Sequence, residues 1–154
     1  MKNESKFYHE IKKNLSEISW TRLENYVLFG TPDLLGYNDN NTFFTIELKV
    51  ARGNKITFSP HQIAFHIRHP KKTFICVKGQ DPRRPKLFEG SMVRELSKVG
   101  FKLKPSAQGY EDIKKVLGSW FLGKESQTNT KHQKNKDPHP PFFYKKVTYT
   151  VHMC

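Results

Sequence analysis

The chain has 154 residues, a length that suits one compact domain and leaves little room for a second. Its 27 lysines and arginines against 14 acidic side chains give a net charge of +13, which favours a polyanionic partner such as nucleic acid or an acidic membrane surface. Two cysteines, Cys76 and Cys154, exclude a disulfide framework and a four-thiolate zinc site, and no window approaches the roughly 18 apolar residues of a membrane span. The sequence thus predicts a soluble protein of a reducing cytoplasm, with no membrane partner.

The charge is distributed unevenly along the chain. Residues 1–50 hold 6 basic and 7 acidic side chains, residues 51–123 hold 15 and 5, and residues 124–154 hold 6 and 2. The acidic groups are therefore concentrated in the first third. Carboxylates near a phosphate-binding surface have a use in holding a divalent cation, although a solvated acidic face explains the same composition.

The first predicted elements are a helix and a strand. The helix runs from Ser5 to about Ser16, because apolar side chains recur there every four residues, at Phe7, Ile11 and Leu15. The aromatic and aliphatic stretch from Trp20 to Phe29 favours a strand, and Gly30-Thr31-Pro32 favours a turn.

Two further strands are predicted around an asparagine-rich turn. A short strand spans Asp33 to Tyr37, and Asn38 to Asn41 is a strong turn signal. Phe43 to Val50 then alternates, with Phe44, Ile46, Leu48 and Val50 on one face and Phe43, Thr45, Glu47 and Lys49 on the other. This pattern predicts a strand with one buried face.

The next stretch predicts a loop, a helix and a central strand. Ala51 to Phe58 is a basic loop, and Ser59-Pro60 is a good N-cap with a first-turn proline, so a second helix is expected to run to about Arg68. The continuously apolar run Thr73 to Val77 suits a buried strand. A basic connection through Arg83, Arg84 and Lys86 follows.

The remaining elements define the fold class and the domain limits. Helices are predicted at Ser91 to Val99 and at Tyr110 to Leu122, so helices should flank a mixed sheet in an α/β fold. Residues 1–123 form the predicted domain. Residues 124–141 are a polar linker or flexible arm, and residues 142–154 are a strand-like extension.

Three charged side chains on the second and third strands have the chemistry of a metal site. Asp33 opens one strand, and Glu47 and Lys49 lie two residues apart on the next and share a face. Two carboxylates that meet across a hairpin offer hard oxygen ligands for Mg²⁺ or Mn²⁺, which use one or two protein carboxylates together with water and substrate phosphate. A Glu-x-Lys on its own is more often a solvated face.

The metal site imposes a condition on the turn. With a four-residue loop, 38–41, Asp33 would face Ile46 on the buried side, because a slip of one residue exchanges the faces. With a five-residue loop, 38–42, Tyr37 pairs with Phe43 and Asp33 faces Glu47. The site therefore predicts an odd loop or a bulge.

These motifs resemble those of a known superfamily. Gly30-Thr31-Pro32-Asp33, a turn, Ile46-Glu47-Leu48-Lys49 and the downstream Ser59-Pro60-His61-Gln62 resemble the PD-(D/E)xK nucleases. They resemble more narrowly the small VRR-NUC type found alone in phages, and Trp20 to Asn25 is similar to the strand before the motif in phage members. The resemblance covers roughly residues 5–78. It implies a restriction-endonuclease-like mixed β-sheet flanked by α-helices, and a location in the cytoplasm, that of a bacterial host if the chain is phage-encoded.

The resemblance also implies roles for individual residues. Asp33 and Glu47 would bind Mg²⁺ or Mn²⁺ through their carboxylates, and Leu48 would do so through its backbone carbonyl. Lys49 would orient or deprotonate the attacking water and offset charge on the phosphate. No small-molecule cofactor is implied.

Two outer residues are assigned more weakly. Gln62 would support the site from the second helix, but it also completes a Ser-x-x-Gln capping box with Ser59, so structure alone accounts for it. Glu10 matches a helix position from which relatives supply a further carboxylate. Gln62, His66 and His69 share one helix face, and without zinc-spaced partners this face is predicted to be polar and exposed.

The predicted function is metal-dependent hydrolysis of DNA phosphodiester bonds, on branched substrates such as flaps or junctions, in replication, repair or recombination. The predicted phosphate contacts are Arg22, Arg52, Lys55, Arg83, Arg84 and Lys86, and a homodimer would suit paired incisions. Two alternatives remain open. One is a site-specific homing or restriction endonuclease, and the other is a non-catalytic nucleic-acid-binding module.

Overall fold

The computed structural model describes residues 2–24, 28–80 and 82–119. The predicted arm at 124–141, the predicted strand-like extension at 142–154 and the last residues of the predicted fourth helix, 120–122, lie outside the described residues. The boundary at residue 123 stays a prediction.

A six-stranded mixed sheet forms the centre of the fold, with its strands in the order β1-β2-β3-β4-β5-β6. Neighbouring strands are antiparallel except β3 and β4, which are parallel. A parallel pair needs a crossover, and a helix supplies it between these two strands. The strands are β1 (Ser19–Arg22), β2 (Leu34–Tyr37), β3 (Phe43–Val50), β4 (Thr73–Lys78), β5 (Lys86–Glu89) and β6 (Ala107–Gln108).

Helices cover both faces of the sheet. They are α1 (Lys2–Asn14), α2 (Pro60–Arg68), α3 (Val93–Val99) and α4 (Tyr110–Ser119), and short 3₁₀ turns at Gly90–Met92 and Gly100–Lys102 flank α3. α1 and α4 contribute Phe7, Ile11, Ile113 and Leu117 to a first core, and α3 contributes Leu96 to a second core on the other face. The predicted α/β class with helices around a mixed sheet is confirmed, an arrangement consistent with a restriction-endonuclease-like fold.

Several predicted boundaries differ from the structure. α1 begins at Lys2, earlier than expected, and the strand predicted over Trp20 to Phe29 ends at Arg22, since Leu28 to Gly30 form a bend and turn. β5 and β6 were not predicted. β5 follows directly on a basic, proline-containing connection and β6 has two residues, so both depend on pairing with a neighbour rather than on a local pattern.

The register of the central hairpin meets the condition set by the sequence. Tyr37 pairs with Phe43 and Leu34 pairs with Ile46, so the loop has five residues, 38–42. Continuing this register by one residue places Asp33 opposite Glu47. The predicted odd loop is confirmed.

Asn38 stabilises this five-residue loop. Its side-chain oxygen accepts hydrogen bonds from the backbone N–H groups of Asn40 (3.0 Å) and Thr42 (3.1 Å), and its amide donates to the Leu117 carbonyl on α4 (2.8 Å). Asn41 adopts the left-handed conformation, with φ of +56°, which asparagine tolerates better than most residues. The five-residue loop is thus stabilised by a buried asparagine that also attaches the hairpin to α4.

β3 departs from the prediction of one buried face. Phe44, Ile46 and Leu48 enter the first core as expected, but Glu47 on the other face is 1% exposed. The crossover helix α2 lies over that face, and its Gln62 side chain donates to the Glu47 carboxylate. A carboxylate in the interior requires a compensating interaction.

Candidate active site

The site forms where β2 and β3 separate. β2 begins at Leu34, and the residue before it, Asp33, turns its side chain to β3, where Oδ2 accepts a hydrogen bond of 2.7 Å from the Leu48 backbone N–H. Thr45 and Ala51 direct their N–H groups to the β4 side of β3. The even-numbered residues of β3 therefore direct both their N–H and their carbonyl groups to the β2 side. Leu48 is one of them, and Asp33 approaches β3 from that side.

Gln62 connects the start of α2 to β3. The predicted capping box is present, with Ser59 Oγ accepting from the Gln62 N–H (3.2 Å) and Gln62 Oε1 accepting from the Ser59 N–H (3.0 Å). The same Oε1 accepts from Lys49 Nζ at 2.8 Å, and Nε2 donates to Glu47. The capping and supporting roles of Gln62 are therefore compatible, because one amide contacts the helix end and both strand residues.

Lys49 is held beside the carboxylate of Glu47. Its Nζ lies 3.4 Å from Glu47 Oε1 and 5.2 Å from the centre of the Phe58 ring, in addition to its bond to Gln62. An ammonium group restrained by a carboxylate, an amide and an aromatic face is pre-organised to meet a negative charge. Phe58, in the loop before α2, was not identified from the sequence.

Ionisation of the Asp33 and Glu47 carboxyl groups is unfavourable in the folded protein. Burial and then the charge of Asp33 raise the pKa of Glu47 to about 8, while Lys49 opposes that shift. Burial also raises the pKa of Asp33, which the hydrogen bond from Leu48 partly offsets. Glu47 Oε2 is buried and has no hydrogen-bond partner. Two neighbouring acids with an unsatisfied oxygen form a site that a cation would stabilise.

The residues present fit Mg²⁺ or Mn²⁺. Within the described ranges, no group of three or more His, Cys, Asp or Glu side chains is arranged to hold a metal ion, so an all-protein cage is absent there. Mg²⁺ does not need one, because it keeps several waters and binds through one or two carboxylates plus substrate phosphate. Asp33, Glu47 and the Leu48 carbonyl are the groups that would hold it.

Glu10 lies away from this site. Its carboxylate is bonded to Lys78 Nζ and, at 3.2 Å, to the hydroxyl of Tyr110. Lys78 alternates with Cys76 and Phe74, which line the first core, and Tyr110 packs against that core. Glu10 therefore takes part in a polar network on the α1 face and is not grouped with Asp33 and Glu47.

A different acid of α1 has a minor electrostatic effect on the site. The charge of Glu4, in the first turn of α1, raises the pKa of both Asp33 and Glu47. The sequence did contain a signal, since Glu4 precedes Phe7 by three residues and continues the stripe of Phe7 and Ile11 towards the N-terminus. The sequence-based prediction considered only Glu10 on this helix.

The predicted phosphate contacts divide into two groups. Arg22, Arg52, Lys55 and Arg84 are exposed. Arg52 and Lys55 flank a tight turn three to six residues after Lys49, closed by two mutual backbone hydrogen bonds of 2.9 and 3.0 Å. Arg83 instead donates to the Gly53 carbonyl (2.8 Å), and Lys86 Nζ donates to the Phe101 carbonyl (2.7 Å). These two cations are engaged in contacts within the protein.

The histidine prediction is wrong for His66. It is 1% exposed, with Nδ1 buried and unpaired, because it faces the interior beside Thr73 and Gly90 rather than solvent. Burial, and then the charges of Lys49 and His69, lower its pKa to about 4. It is a buried polar side chain whose surroundings favour the neutral form.

The comparisons with known proteins include a partial similarity to a solved structure. No family model matches the chain, and no curated protein matches it. Among solved structures, it is similar to Archaeoglobus fulgidus Hjc, a Holliday junction resolvase from an archaeal hyperthermophile, with a TM-score of 0.44 and 15% sequence identity over 58% of this chain and 75% of that one. An overlap of this extent is a partial similarity of fold, and the chemistry of this chain follows from its own residues.

No helix within the described residues combines the length and the apolar character needed to cross a membrane.

Proposed function

We propose that this protein is a metal-dependent endonuclease that hydrolyses DNA phosphodiester bonds, a PD-(D/E)xK nuclease of the VRR-NUC type. The observation that carries the proposal is the hairpin register, which sets Asp33 opposite Glu47 and so brings two carboxyl groups to one point beside Lys49. A register shifted by one residue would separate them. A purely structural hairpin has no need of this arrangement, which makes two acids costly to ionise.

The roles of the residues follow from their contacts. A bound divalent ion would polarise the phosphate and lower the pKa of an attacking water. Asp33 and Glu47 provide the negative charge that retains such an ion. Lys49, held by Gln62 and Glu47, supplies positive charge where the phosphate gains negative charge. Water adds to phosphorus and one P–O bond to a sugar breaks, which yields a phosphate monoester and a hydroxyl group.

Binding to DNA is attributed to the charge and to the exposed basic residues. The net charge of +13 attracts a polyanion regardless of its sequence. Arg52 and Lys55, next to the catalytic strand, are placed to contact phosphates near the scissile bond. We expect a preference for branched DNA over continuous duplex, and the cytoplasm as the place of action.

The test is a cleavage assay on a panel of DNA structures. Duplex, flap and four-way junction DNA are incubated with Mg²⁺, Mn²⁺ or EDTA, and wild type is compared with Lys49→Ala and with Lys98→Ala, an exposed lysine on α3. We expect cleavage in Mg²⁺ or Mn²⁺ only, a loss of about 100-fold or more for Lys49→Ala, and no loss for the control. Binding without cleavage under any metal condition would leave only a nucleic-acid-binding module, and cleavage at one long sequence alone would support a homing-type enzyme.

A further inference from the structure

An exposed aromatic side chain lies beside the candidate active site. Phe29 is 80% exposed and its neighbour Leu28 is 66% exposed, which makes them the most exposed large apolar side chains among the described residues. Exposed apolar groups gain nothing from contact with water, and two of them next to each other in the chain favour a binding surface. Phe43, 58% exposed at the other end of β3 from Lys49, is a similar residue away from the site.

The structure holds Phe29 in a defined place. Its ring is stacked on that of His61, with centroids 5.4 Å apart and an interplanar angle of 26°. Gly30, with φ of +85°, packs so closely on the first turn of α2 that a Cβ there would lie 2.5 Å from the His61 carbonyl oxygen. Phe29 is therefore fixed against α2 as well as by the covalent chain.

Both residues that hold Phe29 in place, His61 and Gly30, are close in sequence to the proposed catalytic residues. His61 precedes Gln62, which is bonded to Lys49 and Glu47, and Gly30 precedes Asp33 by three residues. The exposed ring thus contacts the residue next to Gln62 and lies four residues before Asp33 in the chain, which places it close to the candidate site.

We propose that Phe29, supported by His61, stacks on an unpaired nucleobase next to the scissile phosphate. This inference rests on the proposed nuclease function and names a determinant of its substrate preference. Bases inside a continuous duplex have both faces covered by neighbours, whereas a base at a branch point offers a free π face. An aromatic side chain accepts any base in this way, so the contact selects structure and not sequence.

A second copy of this chain is the competing occupant of the surface. Each copy carries a net charge of +13, which opposes association of two like surfaces in the absence of DNA. The closeness of the ring to the candidate site also favours the nucleobase, because the proposed reaction brings DNA to that site.

The experiment measures stacking directly. A flap with 2-aminopurine at the branch point and a continuous duplex are titrated in Mg²⁺ with protein that carries Lys49→Ala to prevent cleavage. Phe29→Ala is added to that background, with Phe29→Trp and Phe29→Leu beside it and Phe43→Ala as the matched control. Phe29→Leu keeps the apolar character and removes the aromatic face.

We expect Phe29→Ala and Phe29→Leu to lower the ratio of flap to duplex affinity about tenfold and to abolish the 2-aminopurine quench. Phe29→Trp and Phe43→Ala should retain both. A ratio that is unchanged in Phe29→Ala, or retained by Phe29→Leu, contradicts stacking. A DNA-free dimer, seen by sedimentation, that Phe29→Ala dissociates would assign the surface to self-association.

Failure of the nuclease proposal would give a different pattern. If wild type binds the flap with a Phe29-dependent quench and cleaves nothing in any metal, stacking stands and catalysis does not. If wild type cleaves and Phe29→Ala matches Phe43→Ala in every measurement, catalysis stands and stacking does not.

Discussion

At the scale of single residues, the site depends on the side-chain amide of Gln62, which makes several hydrogen bonds. Gln62 begins α2 through its capping box, orients Lys49 and donates to the buried Glu47. Since a buried carboxylate without donors is strongly destabilising, the helix start and the catalytic strand are coupled through this side chain. Replacing Gln62 would therefore disturb folding and chemistry together, which makes it a poor probe of either.

Glu4 and Glu10 give a cleaner comparison, because both acids lie on α1. We predict that Glu4→Gln weakens Mg²⁺ binding about threefold, since the charge of Glu4 reaches both Asp33 and Glu47, and that Glu10→Gln leaves it unchanged. The measurement is the Mg²⁺ dependence of the thermal midpoint at low salt, where an exposed charge is least screened. A larger effect from Glu10→Gln would show that Glu10, and not Glu4, is the acid of α1 that supports metal binding.

His66 makes stability depend on pH. Its pKa is about 4 in the folded protein and about 6.5 when unfolded, so the unfolded state takes up the proton first and stability falls as the pH drops below 6.5. The expected loss from this group between pH 7 and pH 5 is about 2 kcal/mol.

Urea unfolding at the two pH values checks this for wild type and His66→Leu. The variant should lose about 2 kcal/mol less than wild type over that range, whereas His9→Leu, an exposed histidine on α1, should follow wild type. Equal pH dependence in wild type and His66→Leu would show that His66 is protonated as easily in the folded protein as in the unfolded chain.

At the scale of elements, the β2–β3 loop decides whether a site exists. Five residues place Asp33 opposite Glu47, and the bonds made by Asn38 hold that length while connecting the hairpin to α4. A loop of this kind is specified by side-chain hydrogen bonds and not by the strands, whose alternation is compatible with either register.

Asn38→Ala tests this account of the loop. The change removes three side-chain hydrogen bonds at a buried position and should lower the free energy of unfolding by about 2 kcal/mol. Asp39→Ala, exposed in the same turn, should change it by less than about 0.5 kcal/mol. Urea unfolding of the two variants gives the comparison, and similar losses in both would mean that the turn residues act only by their propensity.

At the scale of the whole molecule, only part of the positive charge is available to bind DNA. Arg52 and Lys55 are exposed on a turn held against the rest of the fold by Asn54, whose amide donates to the Val99 carbonyl at 2.7 Å. Lys86 and Arg83 contact the Phe101 ring, at 4.6 and 4.8 Å, and nearby carbonyls. Charge counted from the sequence therefore overstates the charge that DNA can meet at this surface.

The salt dependence of DNA binding separates the two groups. Neutralising a phosphate contact should reduce the slope of log affinity against log salt by roughly 0.9, and we predict this for Arg52→Gln and Lys55→Gln. Lys86→Gln should leave the slope unchanged and lower the urea midpoint, because it removes a bond to the Phe101 carbonyl. A slope reduced in Lys86→Gln would place that side chain on DNA despite its internal contacts.

The sequence by itself determined the local features of this protein. Apolar periodicity predicted α1, β3 and β4, the Ser59-Pro60 pair predicted the start of α2, and alternation placed Glu47 and Lys49 on one face. These depend on neighbours within a few residues, so they can be derived from the chain alone. The five-residue loop was also predicted, but only because the proposed metal site requires Asp33 to face Glu47.

The tertiary structure decided what requires two distant segments to meet. The short strands β5 and β6, the burial of Glu47 and His66, and the influence of Glu4 on the site all depend on which helix covers which face of the sheet. Burial and electrostatic fields depend on packing in three dimensions, and one-dimensional periodicity contains no information about the partner that covers a face. For that reason Asp33 and Glu47 were predictable as a pair, and their surroundings were not.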